Sequence, residues 1–249
     1  WDDRGRAYAI WREVPSWSGN GPKEWAGFRF DFVVEADRTP IEDVVSDTSR
    51  TDVNAVLRRA DTFLPPRVET VFVDPEGNQP SERVRQVLRK EPQKKSRGGA
   101  DTNLTKDRKP VIHDYVGSLK WESRCRQSRS EAERVLRESG SFQQRIEVAL
   151  QNLRRTTRER LERLRIRTDS ALTTISSQRY EEQVALEQRI RDALERSIEA
   201  PSARLDSIGF VVASGQSLKE YERNRETEAD RDSFDSSRSS EALPQNVSS

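Results

Sequence analysis

Apolar and polar residues alternate most regularly between Ala26 and Ala36, where Phe28, Phe30, Phe32 and Val34 take every second place. A period of two puts the three rings on one face of a β-strand. Those rings supply much of the apolar area that a small sheet has to bury. Ala7 to Val14 and Val68 to Asp74 read as two further strands. The second is framed by Phe63-Leu64-Pro65-Pro66, where each proline fixes φ and biases its predecessor to extended geometry, and by the turn signal Asp74-Pro75-Glu76-Gly77-Asn78. Pro15 to Lys23 is a loop, and Thr39 to Arg59 is polar with a weak helical pattern through Val53, Val56 and Leu57. Ser81 to Lys90 fits a returning strand or a short helix equally well. Glu91 to Pro110 has almost nothing apolar, several basic residues and Gly98-Gly99 in its middle, which predicts a flexible loop. Val111 to Trp121 is apolar again and is expected to dock back on the core.

The pattern then changes period. From about Arg129 to Glu199 the chain is charged, with apolar residues at Val135, Phe142, Ile146, Leu150, Leu153, Leu161, Leu164, Leu172 and Ile175, at spacings near three and four or their sums. Ser130 followed by Glu133 fits a capping box at the start of a long helix. Gly140 between Ser139 and Ser141 predicts a kink or a division into two helices, and Ser176-Ser177 a turn. A second helix, Tyr180 to Ile198, carries Val184, Ile190, Leu194 and Ile198 on one side and ends before Pro201. The narrow stripe on each helix suits an antiparallel two-helix coiled coil. Leu205 to Ala213 is one last short strand, whose partners are expected near Phe28 to Glu35 and Val68 to Asp74.

The predicted fold class is therefore α+β: a small antiparallel or mixed sheet carrying a long helical hairpin. Residues 1–121 form a strand-rich platform with a flexible basic loop at 90–110, residues 128–200 the hairpin, residues 201–215 the returning strand, and residues 219–249 a polar, Ser-rich, disordered tail.

Composition narrows the function classes. The 249 residues are 35% charged and 32% hydrophobic, so one core filling the whole chain is not expected. Net charge is +1, without the global basic field of a dedicated nucleic-acid binder. The single cysteine, Cys125, excludes an internal disulfide and suits the cytoplasm. No apolar run approaches the roughly 20 residues that a membrane span needs. The sequence opens at Trp1 and holds no methionine, which reads as a piece of a longer product.

Catalytic sets are sparse. Gly19-Asn20-Gly21-Pro22-Lys23 is too short for a phosphate-cradling loop and lacks the hydroxyl that holds magnesium, and no acidic motor box is present. One histidine, His113, cannot build a His-based metal site or a Ser-His-Asp triad alone. Cys125 lies between Arg124 and Arg126, which would lower a thiol pKa, although a lone cysteine in such a place is usually a packing residue. The candidate contacts are basic and aromatic instead. Arg154, Arg155, Arg158, Arg163 and Arg165 cluster in the long helix and would suit phosphates; a solvated coiled-coil surface with pairs such as Glu159 to Arg163 is the favoured reading, since no aromatics interleave for base stacking. Lys94 and Lys95 mark a second basic patch. Trp17, in a Gly/Ser loop, is the tryptophan expected to be exposed and to touch a partner.

Phe32-Val33-Val34-Glu35-Ala36, Arg59-Ala60-Asp61-Thr62-Phe63-Leu64-Pro65-Pro66, Val71-Phe72-Val73-Asp74-Pro75-Glu76-Gly77-Asn78, the charged hairpin, and Arg204-Leu205-Asp206-Ser207-Ile208 before Val211-Val212 follow one another in a telling order. This series resembles the C-terminal domain of RapA-like proteins, bacterial SNF2-type ATPases that associate with RNA polymerase and recycle it after transcription. The resemblance implies a sheet with a helical hairpin, attached behind an ATP-dependent, helicase-related hydrolase motor. It carries over no catalytic residue. ATP and Mg²⁺ would belong to the parent's motor and no cofactor to this segment. It also implies a non-catalytic accessory role that couples the motor to RNA polymerase or to DNA or RNA, with no membrane and no small-molecule substrate. Two alternatives stay open: a module of a phage-defence SNF2-type helicase, and a free-standing coiled-coil interaction protein.

Overall fold

The computed structural model describes residues 6–17, 24–46, 53–90, 101–104, 109–117, 121–169 and 174–227. Their order is β1 (Arg6–Glu13), a 3₁₀ turn (Pro15–Trp17), β2 (Glu24–Glu35), α1 (Thr39–Ser46), α2 (Val53–Phe63), β3 (Arg67–Val73), α3 (Glu82–Leu88), β4 (Asp101–Asn103), α4 (Lys109–Val116), α5 (Trp121–Glu138), α6 (Gly140–Asp169), α7 (Thr174–Glu199), β5 (Ser202–Ser214) and α8 (218–227). The fold is α+β with a mixed five-stranded sheet in the order β3-β2-β5-β1-β4.

The last long strand, β5, does neighbour β2, but its other neighbour is β1, and β3 lies at the edge beyond β2. Burial explains the order. Phe210, Val211, Val212 and Ala213 are all buried, which demands pairing on both sides. β3 begins with exposed Arg67 and Val68, and a charged, short strand is the kind that tolerates an edge.

The chain divides into two compact units, and the division crosses β2, β3 and β5, so the expected platform and hairpin do not coincide with them. One unit takes Phe30–Val71 and Arg129–Ile208. Its core joins Phe30, Phe32 and Val34 of β2, Ile41, Val56, Ala60 and Leu64, and Leu153, Ala193, Leu194 and Ile198 of the hairpin. The segment expected to be weakly helical is α1 and α2. α1 packs on α7, and α2 packs on both α6 and α7. Ser197 donates a hydroxyl hydrogen bond to the Asp37 carbonyl, and the Asp37 amide donates to the Ser197 carbonyl at 3.0 Å, which ties the end of α7 to the chain leaving β2. On β2, Asp31 is buried opposite the phenylalanines and accepts hydroxyl bonds from Thr70 of β3 and Ser207 of β5, both at 2.6 Å. A one-residue slip of any of these three strands would break a charge-assisted bond as well as invert the apolar face.

The other unit contains Ala7–Arg29, Phe72–Ser128 and the chain from Gly209 onward. Its centre is Ile10, Val14, Trp17, Phe72, Val84, Leu88, Val211 and Ala213. The ambiguous segment Ser81 to Lys90 is the helix α3, because Val84 and Leu88, four residues apart, are its buried positions. Part of the expected flexible loop is ordered as β4, which pairs antiparallel with β1. Arg12 accounts for that. Its guanidinium grips the Asp101 carboxylate at 2.9 and 2.8 Å and donates to the carbonyls of Val87, Leu88 and Lys90 at 3.0, 3.0 and 3.1 Å. One buried side chain thus holds the end of α3 and the start of β4 together.

Two helix boundaries, the starts of α5 and α7, differ from the sequence reading, whereas the break at Gly140 agrees with it. α5 begins at Trp121, so Ser130 lies inside a helix and its spacing to Glu133 caps nothing. Tertiary packing sets the earlier start: the Trp121 ring sits 5.3 Å from Phe28 and 5.5 Å from Phe210. The helix breaks at Ser139, whose carbonyl accepts the Gln143 amide at 3.0 Å to open α6. The longest helix therefore has 30 residues, about 45 Å. Ser176 and Ser177 belong to α7, which starts at Thr174.

The expected disordered tail also needs correction in its first part. α8 opens with a reciprocal cap, in which the Ser217 amide bonds the Glu220 carboxylate at 2.9 Å and the Glu220 amide bonds the Ser217 hydroxyl at 3.4 Å. Leu218 is buried, and the Tyr221 ring lies 4.9 Å from Trp11 and 6.1 Å from Tyr115. The Tyr221 hydroxyl donates to Asp114 at 3.0 Å, and Arg225 pairs with the same carboxylate at 2.9 Å. Burial and the Asp114 charge both push the Tyr221 phenol up from its usual range. Residues 228–249 lie outside the described residues.

Candidate functional site

The hairpin carries most of the arginines singled out from the sequence, and its register decides what each one does. Arg154 pairs with Glu195, and Arg160 with Glu187, at 3.0 and 3.3 Å. Partner numbers fall on α7 as they rise on α6, so the two helices are antiparallel. The seam between them has two flanks. On one, Glu187 takes Arg160 from α6 and Arg59 from α2, the latter at 2.5 Å, with only 14% of the Glu187 side chain exposed. On the other, Arg154 bridges Glu195 and reaches Glu199 at 4.0 Å.

Burial along the hairpin stops near that node. Phe142, Ile146, Ala149, Leu153 and Thr157 on α6, and Ile190, Ala193, Leu194, Ser197 and Ile198 on α7, are buried. From Arg158 to Arg167 and from Gln178 to Arg189 no described side chain is buried, and Leu161, Leu164, Val184 and Leu186 are half-covered. A two-helix contact covered only at the Glu187 node, by Arg59 of α2 among the described residues, leaves its seam residues in that state. Thr157, the last buried residue of α6 among those described, has a hydroxyl with no hydrogen-bond partner among the described residues. Such a group costs folding energy, so Thr157→Val is expected to raise stability by about 1 kcal/mol, read from the urea unfolding midpoint. A fall in the midpoint would show that the hydroxyl has a bonded role.

The five candidate arginines separate accordingly. Arg154 is braced against α7. Arg158 and Arg165 are exposed and, at about 100° per residue, fall within about 40° of Arg154 around α6. Arg163 lies 3.7 Å from Glu159, as the sequence suggested. Arg155 bonds Asn152 at 3.4 Å and lies on the side of α6 turned away from the buried stripe. That outward side also holds Val148, 49% exposed, and Ile166, 57% exposed, about five turns apart on one line, with Glu159 and Glu162 between them. Acidic residues of α7 neutralise part of the arginine-rich face of α6, Glu195 through Arg154 and Glu187 through Arg160. Periodicity could not have found Arg59, which reaches Glu187 across 128 positions of sequence.

Trp17 is not a surface residue. It is 1% exposed, because the turn Pro15–Trp17 rolls the indole onto Ile10, Val14 and Leu88. Lys94 and Lys95, and the glycine-rich stretch Gly19 to Lys23, lie outside the described residues. His113 is exposed on α4, and Cys125 is half-buried on α5. Among the described residues, no group of three His, Cys, Asp or Glu side chains is placed to hold a metal ion. No described helix is long and apolar enough to cross a membrane. Set against known proteins, the chain matches no family model and no curated protein.

Proposed function

We propose that this chain is a non-catalytic interaction module and that the outward side of α6 holds its partner. The observation that carries this reading is the placement of exposed apolar groups. Three large hydrophobic residues are exposed among the described residues, and two of them, Val148 and Ile166, stand on one line of α6 around Arg155. A helix face that spends apolar area on water and surrounds it with charge has the make-up of a protein-binding rim. Glu159 and Glu162 share the face with Arg155, and carboxylates there would repel phosphates, which favours a protein surface over a nucleic-acid backbone.

The ordered strings from Phe32 to Val212 support placing the module behind a RapA-like SNF2-type motor in the cytoplasm. In that setting the partner is RNA polymerase, the motor handles ATP and Mg²⁺, and the module couples the two. Fold-level likeness is an associational argument for function, so the test is direct. Val148→Asp, Arg155→Glu and Ile166→Asp, combined, change only exposed side chains. They are expected to weaken binding to core RNA polymerase roughly tenfold or more while leaving the circular dichroism spectrum unchanged. Equal affinity of variant and wild type would overturn the reading. Tight, steeply salt-dependent binding to duplex DNA with none to polymerase would move the partner to nucleic acid.

A further inference from the structure

The flank of the hairpin seam that carries Arg154 continues, uncovered, beyond it. On α6 the row runs through Arg158, Leu161 and Arg165, all within about 40° of Arg154. On α7, Asp192, Val184 and Glu181 lie within about 60° of Glu195, the residue that Arg154 holds. The register set by Arg154 with Glu195 and Arg160 with Glu187 brings Arg158 and Arg165 within about two residues of the levels of Asp192 and Glu181, and Leu161 within about three of Val184. The four charged residues are exposed and the two apolar ones half-covered. This flank is thus a basic row with a leucine at its middle, beside an acidic row with a valine at its middle.

We infer that a second copy of the chain seats on this flank. Two identical faces can meet about a two-fold axis that runs along the helices or across them. An axis across the helices lays α6 on α6, arginine on arginine, and is repelled. An axis along them lays each α6 on the other copy's α7. Arg158 and Arg165 then face Asp192 and Glu181 to within about two residues, with Leu161 and Val184 diagonal to one another between them, twice over. Charge complementarity selects the second arrangement, with the two hairpins side by side and pointing the same way. Asp192 already holds Arg191 at 2.6 Å, so the intermolecular contacts share that carboxylate instead of replacing its partner. The surface includes none of Val148, Arg155 and Ile166, so this pairing and the polymerase reading stand or fall separately.

The test is the mass of the full chain in solution by light scattering, over a concentration series at low and at high salt. Wild type is expected to pass from the mass of one chain to that of two as concentration rises, with the transition moved to higher concentration by salt. Arg158→Glu with Arg165→Glu, and separately Glu181→Arg with Asp192→Arg, should each stay monomeric. Mixed in equal amounts, the two variants should regain the double mass, since each one's row now meets its opposite. The recovered heterodimer also shows that both variants are folded; if one does not fold, the other alone decides. A wild type that keeps the mass of one chain throughout overturns the inference, and so does a dimer that survives either double substitution.

Discussion

Arg12→Ala is expected to lower folding stability by about 3–5 kcal/mol, the scale seen when one member of a buried ion pair is removed. The arginine and Asp101 side chains are only 8% and 12% exposed, and the substitution would leave the carboxylate without its cation. It would also strip donors from the carbonyls of Val87, Leu88 and Lys90 at the end of α3. Arg12→Lys should recover only part of the loss, because one ammonium cannot match a planar fork that binds a carboxylate and three carbonyls at once. Urea unfolding of the three proteins checks this, and a loss below about 1 kcal/mol would place the pair in the class of weak surface bridges.

Trp17→Ala should cost about as much, about 3–5 kcal/mol, through the cavity left among Ile10, Val14, Val84 and Leu88. Folded variant protein should bind polymerase as wild type does, because the indole is inside. A stable variant that had lost partner binding would restore the exposed reading of Trp17. The two substitutions fall in the same unit, and the Arg12 and Trp17 side chains both meet the end of α3, so their effects are not expected to add independently.

The reason Trp17 misleads is local composition. Gly19, Gly21 and the nearby serines describe a loop correctly, but a loop says nothing about where its first ring points. The long strands are legible because period two and the flanking prolines act over a few residues, and Phe28, Phe30 and Phe32 are all fully buried as the alternation requires. The break before Gly140 is legible for a similarly local reason. The start of α5 is not: Ser130 and Glu133 have the spacing of a cap, yet aromatic packing of Trp121 extends the helix past them. α8 escapes because its apolar anchors are Leu218 and Tyr221, and two such residues in a polar tail give no period. β4 is three residues long and depends on Arg12, a contact that spans 89 positions.

The candidate site divides in the same way. The arginine cluster is visible in the sequence, and so is its ambiguity between ligand contact and solvated helix. What resolves it is register: Arg154 and Arg160 become braces once Glu195 and Glu187 stand opposite, while Arg155 is left facing outward. Val148 and Ile166 drew no notice in the sequence because they sit off the buried stripe, and only their exposure distinguishes them from core residues.

The most direct test of the central claim is amide hydrogen exchange of the full chain, alone and with core RNA polymerase. The part of α6 beyond Arg158 has no buried side chain among the described residues, so its amides should exchange by local opening and report a partner that covers them. Slowing of exchange along α6 between Val148 and Ile166, with the sheet unchanged, is the result expected. Binding that protects the sheet or α3 and leaves α6 unaltered, or no protection anywhere, would contradict the hairpin's role as the docking surface.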